Sequence, residues 1–163
     1  MTVLGVDPGI TNMGLGVVEQ VGKTHKLLHT RLIKTDRSDP APARVGEIFQ
    51  NLRIVIAEFR PQAIAVEEQF FYRQNELSYK VGWAMGAVFV AANEWGLEVY
   101  GYGPMKVKQA LVGYGHAEKE QVAFMVRAIL GLKENPKPTH VADALAIALT
   151  HLFYVGRGGG NRI

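Results

Sequence analysis

The sequence predicts an α/β protein in which a mixed β-sheet carries helices on its faces. Two observations support this fold class. Short apolar runs bounded by glycine, proline and polar residues, which are typical of buried strands, occur in both halves of the chain. From about residue 40 onwards, longer segments with apolar residues at helical spacing alternate with them. The resulting order βββαβαβααα places three strands together at the start, which favours an antiparallel meander there.

Five strands are predicted. The first is an apolar run that stops at the turn signal Pro8-Gly9, and the next two follow through short glycine-containing turns. The fourth begins just after Pro61, and the fifth follows a long helical segment. The predicted strands are Thr2–Asp7, Gly14–Gln20, Lys26–Lys34, Ala63–Glu67 and Leu97–Tyr100.

Five helices are predicted. The first opens at Pro40–Pro42, carries apolar residues three or four positions apart, and ends before Pro61. The others are Glu76–Trp95, Pro104–Gly113, Ala117–Leu130 and a last helix from the N-cap candidate Thr139 to about Tyr154. With no repeat or internal boundary, residues 1–155 are predicted to form a single domain, and residues 156–163 a flexible glycine-rich tail.

Composition narrows the possible functions. The chain has 163 residues, of which 48% are hydrophobic and 20% charged, so one substantial core is expected. The net charge of +3 permits a polyanionic partner without requiring one. The absence of cysteine excludes disulfides, thiolate metal sites and cysteine nucleophiles. No signal peptide or membrane-spanning segment is recognised, so we expect a cytoplasmic protein without a membrane partner.

Acidic residues stand at the ends of predicted elements. Asp7 ends the first strand, Glu67 and Glu68 end the fourth, and His140 and Asp143 lie three residues apart at the start of the last helix. Carboxylates at the ends of buried strands cost free energy unless they are paired or bind a cation. Oxygen-rich clusters with one imidazole suit Mg²⁺ or Mn²⁺, and two such ions commonly serve phosphodiester hydrolysis.

Each of these residues also has a simpler interpretation. Asp7-Pro8-Gly9 is a common turn sequence, and Asp143 and His140 would suit a helix start as a cap and a surface histidine. Alternation along a strand buried on both faces does not choose between Glu67 and Glu68. The combination of acidic positions favours a metal site over these separate explanations.

Several motifs together resemble the RuvC Holliday-junction resolvase family of bacteria, in order and over residues 2 to about 154. They are Val6-Asp7-Pro8-Gly9 with Gly14, Ala65-Val66-Glu67-Glu68-Gln69-Phe70-Phe71 with Asn75, Val107-Lys108-Gln109, Ala117-Glu118-Lys119 and Ala142-Asp143-Ala144-Leu145-Ala146-Ile147-Ala148. The resemblance implies a ribonuclease H-like fold, whose five-stranded mixed sheet has its first three strands antiparallel and is flanked by helices.

The resemblance also implies a metal-dependent endodeoxyribonuclease. Its catalytic residues would be Asp7, Glu68, His140 and Asp143, with Glu68 chosen over Glu67 because the family acid precedes Gln and lies seven residues before Asn. Asp7 would bridge two Mg²⁺ or Mn²⁺ ions per subunit, with Glu68 on one ion and His140 and Asp143 on the other. Many members have aspartate at the position of His140, so we expect a better response to Mn²⁺ here.

The resemblance further implies a homodimer that resolves four-way DNA junctions by paired incisions, leaving 5′-phosphate and 3′-hydroxyl ends, with the RuvA and RuvB branch-migration proteins as partners. The expected DNA contacts are Phe71, Arg73, Lys108 and Lys119, and Lys106 is a weaker candidate. Phe70–Arg73 could instead be a hydrophobic plug, and surface lysines are often merely solvated. Gly82 and Gly86 are candidates for the dimer contact, although glycines in a helix can equally mark an approach to the protein's own sheet.

Two other classes of protein share some of these sequence features. A non-catalytic junction-binding protein would not need the acidic cluster. An actin-like ATPase shares the aspartate-glycine turn after its first strand, but it needs a second lobe that this length does not allow.

Overall fold

A computed structural model describes residues 1–68, 76–155 and 161–163, with the backbone alone for residues 76–78. The strands are β1 (Thr2–Asp7), β2 (Asn12–Val21), β3 (Thr24–Lys34), β4 (Ala63–Glu67), β5 (Glu98–Tyr102) and β6 (Asn161–Arg162). The helices are α1 (Ala41–Phe59), α2 (Glu76–Glu94), α3 (Pro104–Val112), α4 (Lys119–Leu130) and α5 (Thr139–Tyr154).

The sheet is mixed, with strand order β3-β2-β1-β4-β5-β6. Strands β1, β2 and β3 pair antiparallel, whereas β4 and β5 continue the sheet parallel to β1. The predicted architecture, including the antiparallel meander at the start, is confirmed. The carboxyl edge of the sheet therefore brings together the ends of β1, β4 and β5. Parallel strands commonly present functional groups at this edge.

In the described part of the chain the sheet has six strands, so the predicted number of five is wrong. The extra strand β6 pairs antiparallel with β5, and the Arg162 Nη1 atom lies 2.8 Å from Glu98 Oε1. Part of the predicted flexible tail is thus a two-residue edge strand. Residues 156–160, which carry the glycines of that tail, lie outside the described part of the chain.

Two cores cover the two faces of the sheet. On one face α1 and α2 pack against side chains such as Leu4, Val6 and Ile64. On the other face α3, α4 and α5 pack against side chains such as Val3 and Ala65. Because side chains alternate along a strand, Asp7 faces the same side as Val3, toward α5.

Helix α5 lies unusually close to the sheet. A Cβ atom added to Gly5 would overlap the carbonyl oxygen of Ala144, and one added to Gly14 would overlap that of His140. Only glycine at these positions lets the helix backbone approach so closely. The first turn of α5 is thereby brought to the end of β1, next to Asp7. In the described parts of the chain, none of the helices has the length and apolar character needed to cross a membrane.

Candidate active site

A cavity of about 370 Å³ opens at the carboxyl ends of β1 and β4. The side chains at its rim come from strand ends, from the first turn of α5, and from α3 and the start of α4. The charged and imidazole side chains that line it are Asp7, Glu67, Lys108, Lys119, His140 and Asp143.

Asp7 is the most buried acid of this cavity, with 9% of its surface exposed. Its Oδ2 atom lies 2.7 Å from Nδ1 of His140. Burial raises the pKa of Asp7 above its usual value of 3.8, and the hydrogen bond from His140 partly opposes that effect. A carboxylate in this position gains from any cation that comes within reach, because burial has removed much of its hydration.

His140 and Asp143 both face the cavity from the first turns of α5. Residues three apart lie on one helix face, which explains why both reach the same space. The N-cap residue of α5 is Pro138 and no side chain caps the helix, so Asp143 does not act as a cap. The simpler interpretation of Asp143 therefore lacks support, and its Oδ2 atom instead lies 3.4 Å from Nζ of Lys119.

The structure places Glu67, and not Glu68, beside Asp7. Strands β1 and β4 are parallel neighbours, with Gly5 opposite Ala65, so the side chain two residues beyond each points to the same side of the sheet. Glu67 accordingly lines the cavity. The side chain of Glu68 lies against Gly101 on the opposite face, and its Oε1 accepts a hydrogen bond of 3.4 Å from Asn161. The prediction that Glu68 joins Asp7, His140 and Asp143 is corrected to Glu67.

Glu67 has a strongly perturbed acidity. Burial raises its pKa from 4.5 to about 7, and the negative charges of Asp7 and Asp143 add to the increase, with Lys119 acting against it. Like-charged carboxylates held near one another resist simultaneous ionisation. The cavity thus concentrates negative charge at a free-energy cost, as expected of a site that receives a cation.

The lysines differ in their surroundings. Lys119 is the first residue of α4, and both it and Lys108 border the acidic cavity. Lys106 points elsewhere: its Nζ lies 5.7 Å from the ring centre of Tyr102 and 5.1 Å from that of Tyr154. Such cation–π contacts stabilise the packing of the aromatic rings, so Lys106 has a structural explanation.

The donor set fits a divalent metal ion of the Mg²⁺ or Mn²⁺ type. Three carboxylates and one imidazole provide hard oxygen ligands and one nitrogen ligand, and the raised pKa of Asp7 and Glu67 records the cost of leaving the acids without a cation. Among the residues that the structure describes, no group of three acidic or histidine side chains is placed to hold a metal ion as the side chains stand. In this arrangement His140 is paired with Asp7, and Lys119 with Asp143.

The remaining predicted residues are those of the segment Phe70–Arg73 and the two glycines of α2. Phe71 and Arg73, with Phe70 and Tyr72, lie outside the described residues. Among the described residues, a Cβ atom added to Gly82 or Gly86 would meet nothing within 4 Å, so these glycines do not mark an approach of α2 to its own sheet. That interpretation of the two glycines is wrong, and no described residue covers their side of α2.

Comparison with known proteins gives a consistent result. Residues 3–151 match the family model described as crossover junction endodeoxyribonuclease RuvC. A protein of that name from Thermus thermophilus is 63% identical over 161 residues, covering 97% of both chains. Its counterpart from Brevibacillus brevis is 43% identical, covering 93% of this chain and 91% of the relative. The structure of T. thermophilus RuvC in complex with a Holliday junction substrate superposes with a TM-score of 0.95, at 62% identity, covering 100% of this chain and 99% of the other.

Proposed function

The chain belongs to the RuvC family of crossover junction endodeoxyribonucleases, and from this membership we propose that it resolves four-way (Holliday) DNA junctions by metal-dependent hydrolysis. The observation that carries the proposal is the acidic cavity at the ends of β1 and β4, in a chain that matches a junction-bound relative along its whole length. The fold is accordingly the ribonuclease H-like fold of that family.

We propose that Asp7, Glu67, His140 and Asp143 hold two Mg²⁺ or Mn²⁺ ions per subunit. Asp7 suits the shared position, because Glu67 lies beside it on the neighbouring strand and His140 contacts it from α5. Divalent ions held by these residues would lower the pKa of a water that acts as nucleophile and would stabilise the charge that develops on the leaving oxygen. The expected products are a 5′-phosphate and a 3′-hydroxyl.

The protein's own side chains prepare this chemistry. Burial keeps Asp7 poorly hydrated, so its carboxylate binds a cation strongly once ionised. Lys119 compensates the charge of Asp143 in the absence of an ion and, once released, can contact a DNA phosphate at the cavity entrance. Lys108, which also lines the cavity, is proposed to contact the DNA backbone as well. Phe71 and Arg73 stay predicted DNA contacts, with the aromatic ring stacking on unpaired bases.

A twofold dimer is the proposed functional unit. Two strands of a junction must be cut at symmetric positions, and an isologous dimer supplies two sites related by one axis. Helix α2 supports this assembly because its open glycine side is continuous with exposed Trp83 and Val90. Monomers seldom expose such apolar residues in one stripe without a partner. RuvA, RuvB and a cytoplasmic location stay predictions from the family.

The proposal is tested with a synthetic four-way junction, a linear duplex of the same sequence, and Mg²⁺ or Mn²⁺. Paired cuts in the junction alone, lost when the metal is chelated, are the expected result. A protein that binds the junction without cutting it would be a binding module, and cleavage that ignores junction structure would contradict the substrate assignment. An ATP hydrolysis assay, for which we expect no turnover, excludes the ATPase alternative.

A further inference from the structure

The turn that follows Asp7 is held by a set of hydrogen bonds outside the acidic cavity. Residues 8–11 join β1 to β2, and Asp7 is the last residue before them. Thr35, which directly follows β3 and is 6% exposed, donates from Oγ1 to the carbonyl oxygen of Ile10 at 2.5 Å. Its backbone N–H donates to the carbonyl oxygen of Thr11 at 3.1 Å. Two successive residues of the turn are thus tied to the end of β3.

Arg44 completes this set from the first turn of α1. Its Nε donates to Thr35 Oγ1 at 2.9 Å, and its Nη2 donates to Thr11 Oγ1 at 2.8 Å. A guanidinium group can only donate, so the hydroxyl proton of Thr35 must point to the carbonyl oxygen of Ile10. The bonds form one directed chain from Arg44 through Thr35 to the turn. Charge-assisted bonds of this kind are stronger and more directional than neutral ones.

The turn has little freedom to absorb a displacement. Only Pro8 and Gly9 separate Asp7 from the anchored carbonyl of Ile10, and the proline ring restricts its own backbone. A Cβ atom at Gly9 would overlap the carbonyl oxygen of Asn12, so the turn is tightly folded. A shift of the turn should therefore reach the Asp7 carboxylate, which is itself held by His140 at 2.7 Å.

We infer that Arg44 and Thr35 are positioning residues for Asp7, acting through the β1–β2 turn to keep its carboxylate in the orientation that binds metal. This inference rests on the proposed role of Asp7 as a metal ligand. Groups that orient a ligand without touching the ion commonly contribute about 10–100-fold to metal affinity.

The decisive variant is Thr35→Val, which removes the hydroxyl group, keeps the shape of the side chain and leaves the charge of Arg44 in place. Thr35→Ser restores the hydroxyl and serves as the conservative rescue. Asn51→Ala is the matched control, because it breaks a different bond between α1 and β3, from Arg31 Nη1 to Asn51 Oδ1 at 3.0 Å, away from the turn. Arg44→Met removes the other end of the chain of bonds.

Three quantities are measured for each full-length variant: the rise in melting temperature caused by added Mn²⁺, the Mn²⁺ concentration for half-maximal junction cleavage, and junction affinity in EDTA. For Thr35→Val and Arg44→Met we expect the required Mn²⁺ concentration to rise roughly tenfold and the Mn²⁺-induced stabilisation to weaken accordingly. Thr35→Ser and Asn51→Ala should respond like the wild type. Junction affinity in EDTA should be unchanged in Thr35→Val.

The outcomes separate this inference from its alternatives. A wild-type metal requirement in Thr35→Val, or an equal rise in Asn51→Ala, would overturn it. Weaker junction binding in Arg44→Met, with Thr35→Val unaffected in every measurement, would make Arg44 a phosphate contact instead. If the wild type binds Mn²⁺ but cuts no junction, the proposed function fails, and the melting temperatures still decide whether Thr35 supports metal binding.

Discussion

Replacing Glu67 by glutamine should make the metal-free protein more stable while abolishing cleavage. In the folded protein the pKa of Glu67 is about 7, against 4.5 for an ordinary glutamate. A raised pKa in the folded state means that the carboxyl group destabilises the fold as it ionises. The protonated carboxyl group makes its full contribution to stability below about pH 4.5, and this contribution is lost as the pH rises through about 7.

The size of the effect follows from the two pKa values. The folded and unfolded pKa values differ by about 2.5, and one pKa unit corresponds to 1.36 kcal/mol. At pH 8 glutamate is ionised in both the folded and the unfolded chain, so the ionised carboxylate lowers the free energy of unfolding by about 3 kcal/mol. Glutamine has nearly the same shape and no charge, so Glu67→Gln removes this cost. For a chain of this length, stabilisation of up to about 3 kcal/mol corresponds to a melting temperature up to about 10 °C higher.

The assay is thermal unfolding in EDTA at pH 8 and at pH 5, beside junction cleavage with Mn²⁺. The variant should melt above the wild type at pH 8, and the difference should shrink toward pH 5, where the wild-type glutamate is largely protonated. Glu68→Gln is the matched control, since Glu68 lies on the opposite face of the sheet; it should keep its activity and gain no stability. An active Glu67→Gln, or an inactive Glu68→Gln that remains folded, would refute the correction from Glu68 to Glu67.

Three further predictions concern the metal site and the dimer. Asp7→Asn removes one charge from the proposed shared ligand, so cleavage should fall by at least about 100-fold. Gel-shift assays should show that junction binding is retained, because phosphate contacts dominate affinity. Near-normal cutting would exclude Asp7 as a ligand. His140→Asp should stay active and shift the ratio of initial rates toward Mg²⁺ over Mn²⁺, since a hard carboxylate replaces imidazole, whereas an unchanged ratio would place His140 away from the metal. Gly86→Leu should weaken the dimer in sedimentation and leave a supercoiled cruciform plasmid nicked instead of linear; a variant that remains dimeric and linearises the plasmid would rule out this face of α2.

Much of the fold could be predicted because local patterns and tertiary structure agree. The strand pattern that ends at Asp7 and the prolines that bound α1 are local signals. The structure confirms both the strand and the helix. Strand β6 could not be predicted, because a two-residue strand after a glycine run has no periodicity of its own. It pairs with β5, whose residues are about 60 positions away in the sequence, as Gly101 opposite Asn161 shows.

The choice between Glu67 and Glu68 shows where a sequence pattern misleads. Motif spacing favoured Glu68, yet the strand carries a signal that favours Glu67. Ala63 and Ala65 lie on the same side of β4 as Glu67, whereas Ile64 and Val66 face the other side. Small residues on one side indicate a closely packed helix, and that helix, α5, also carries His140 and Asp143. The signal becomes usable only once the position of α5 is known, because both sides of β4 are apolar.

The presence of histidine at position 140 has a physical consequence for the site without metal. Burial raises the pKa of Glu67 to about 7, and the nearby negative charges of Asp7 and Asp143 add to the increase. The His140 imidazole adds no negative charge, and its Nδ1 atom hydrogen-bonds Asp7, which partly opposes the rise that burial causes in the pKa of that carboxyl. An aspartate at this position would add a fourth carboxylate to the same cluster and remove the hydrogen bond to Asp7. Histidine therefore reduces the cost of folding before metal binds, and it does so by giving up some of the negative charge that attracts the ion.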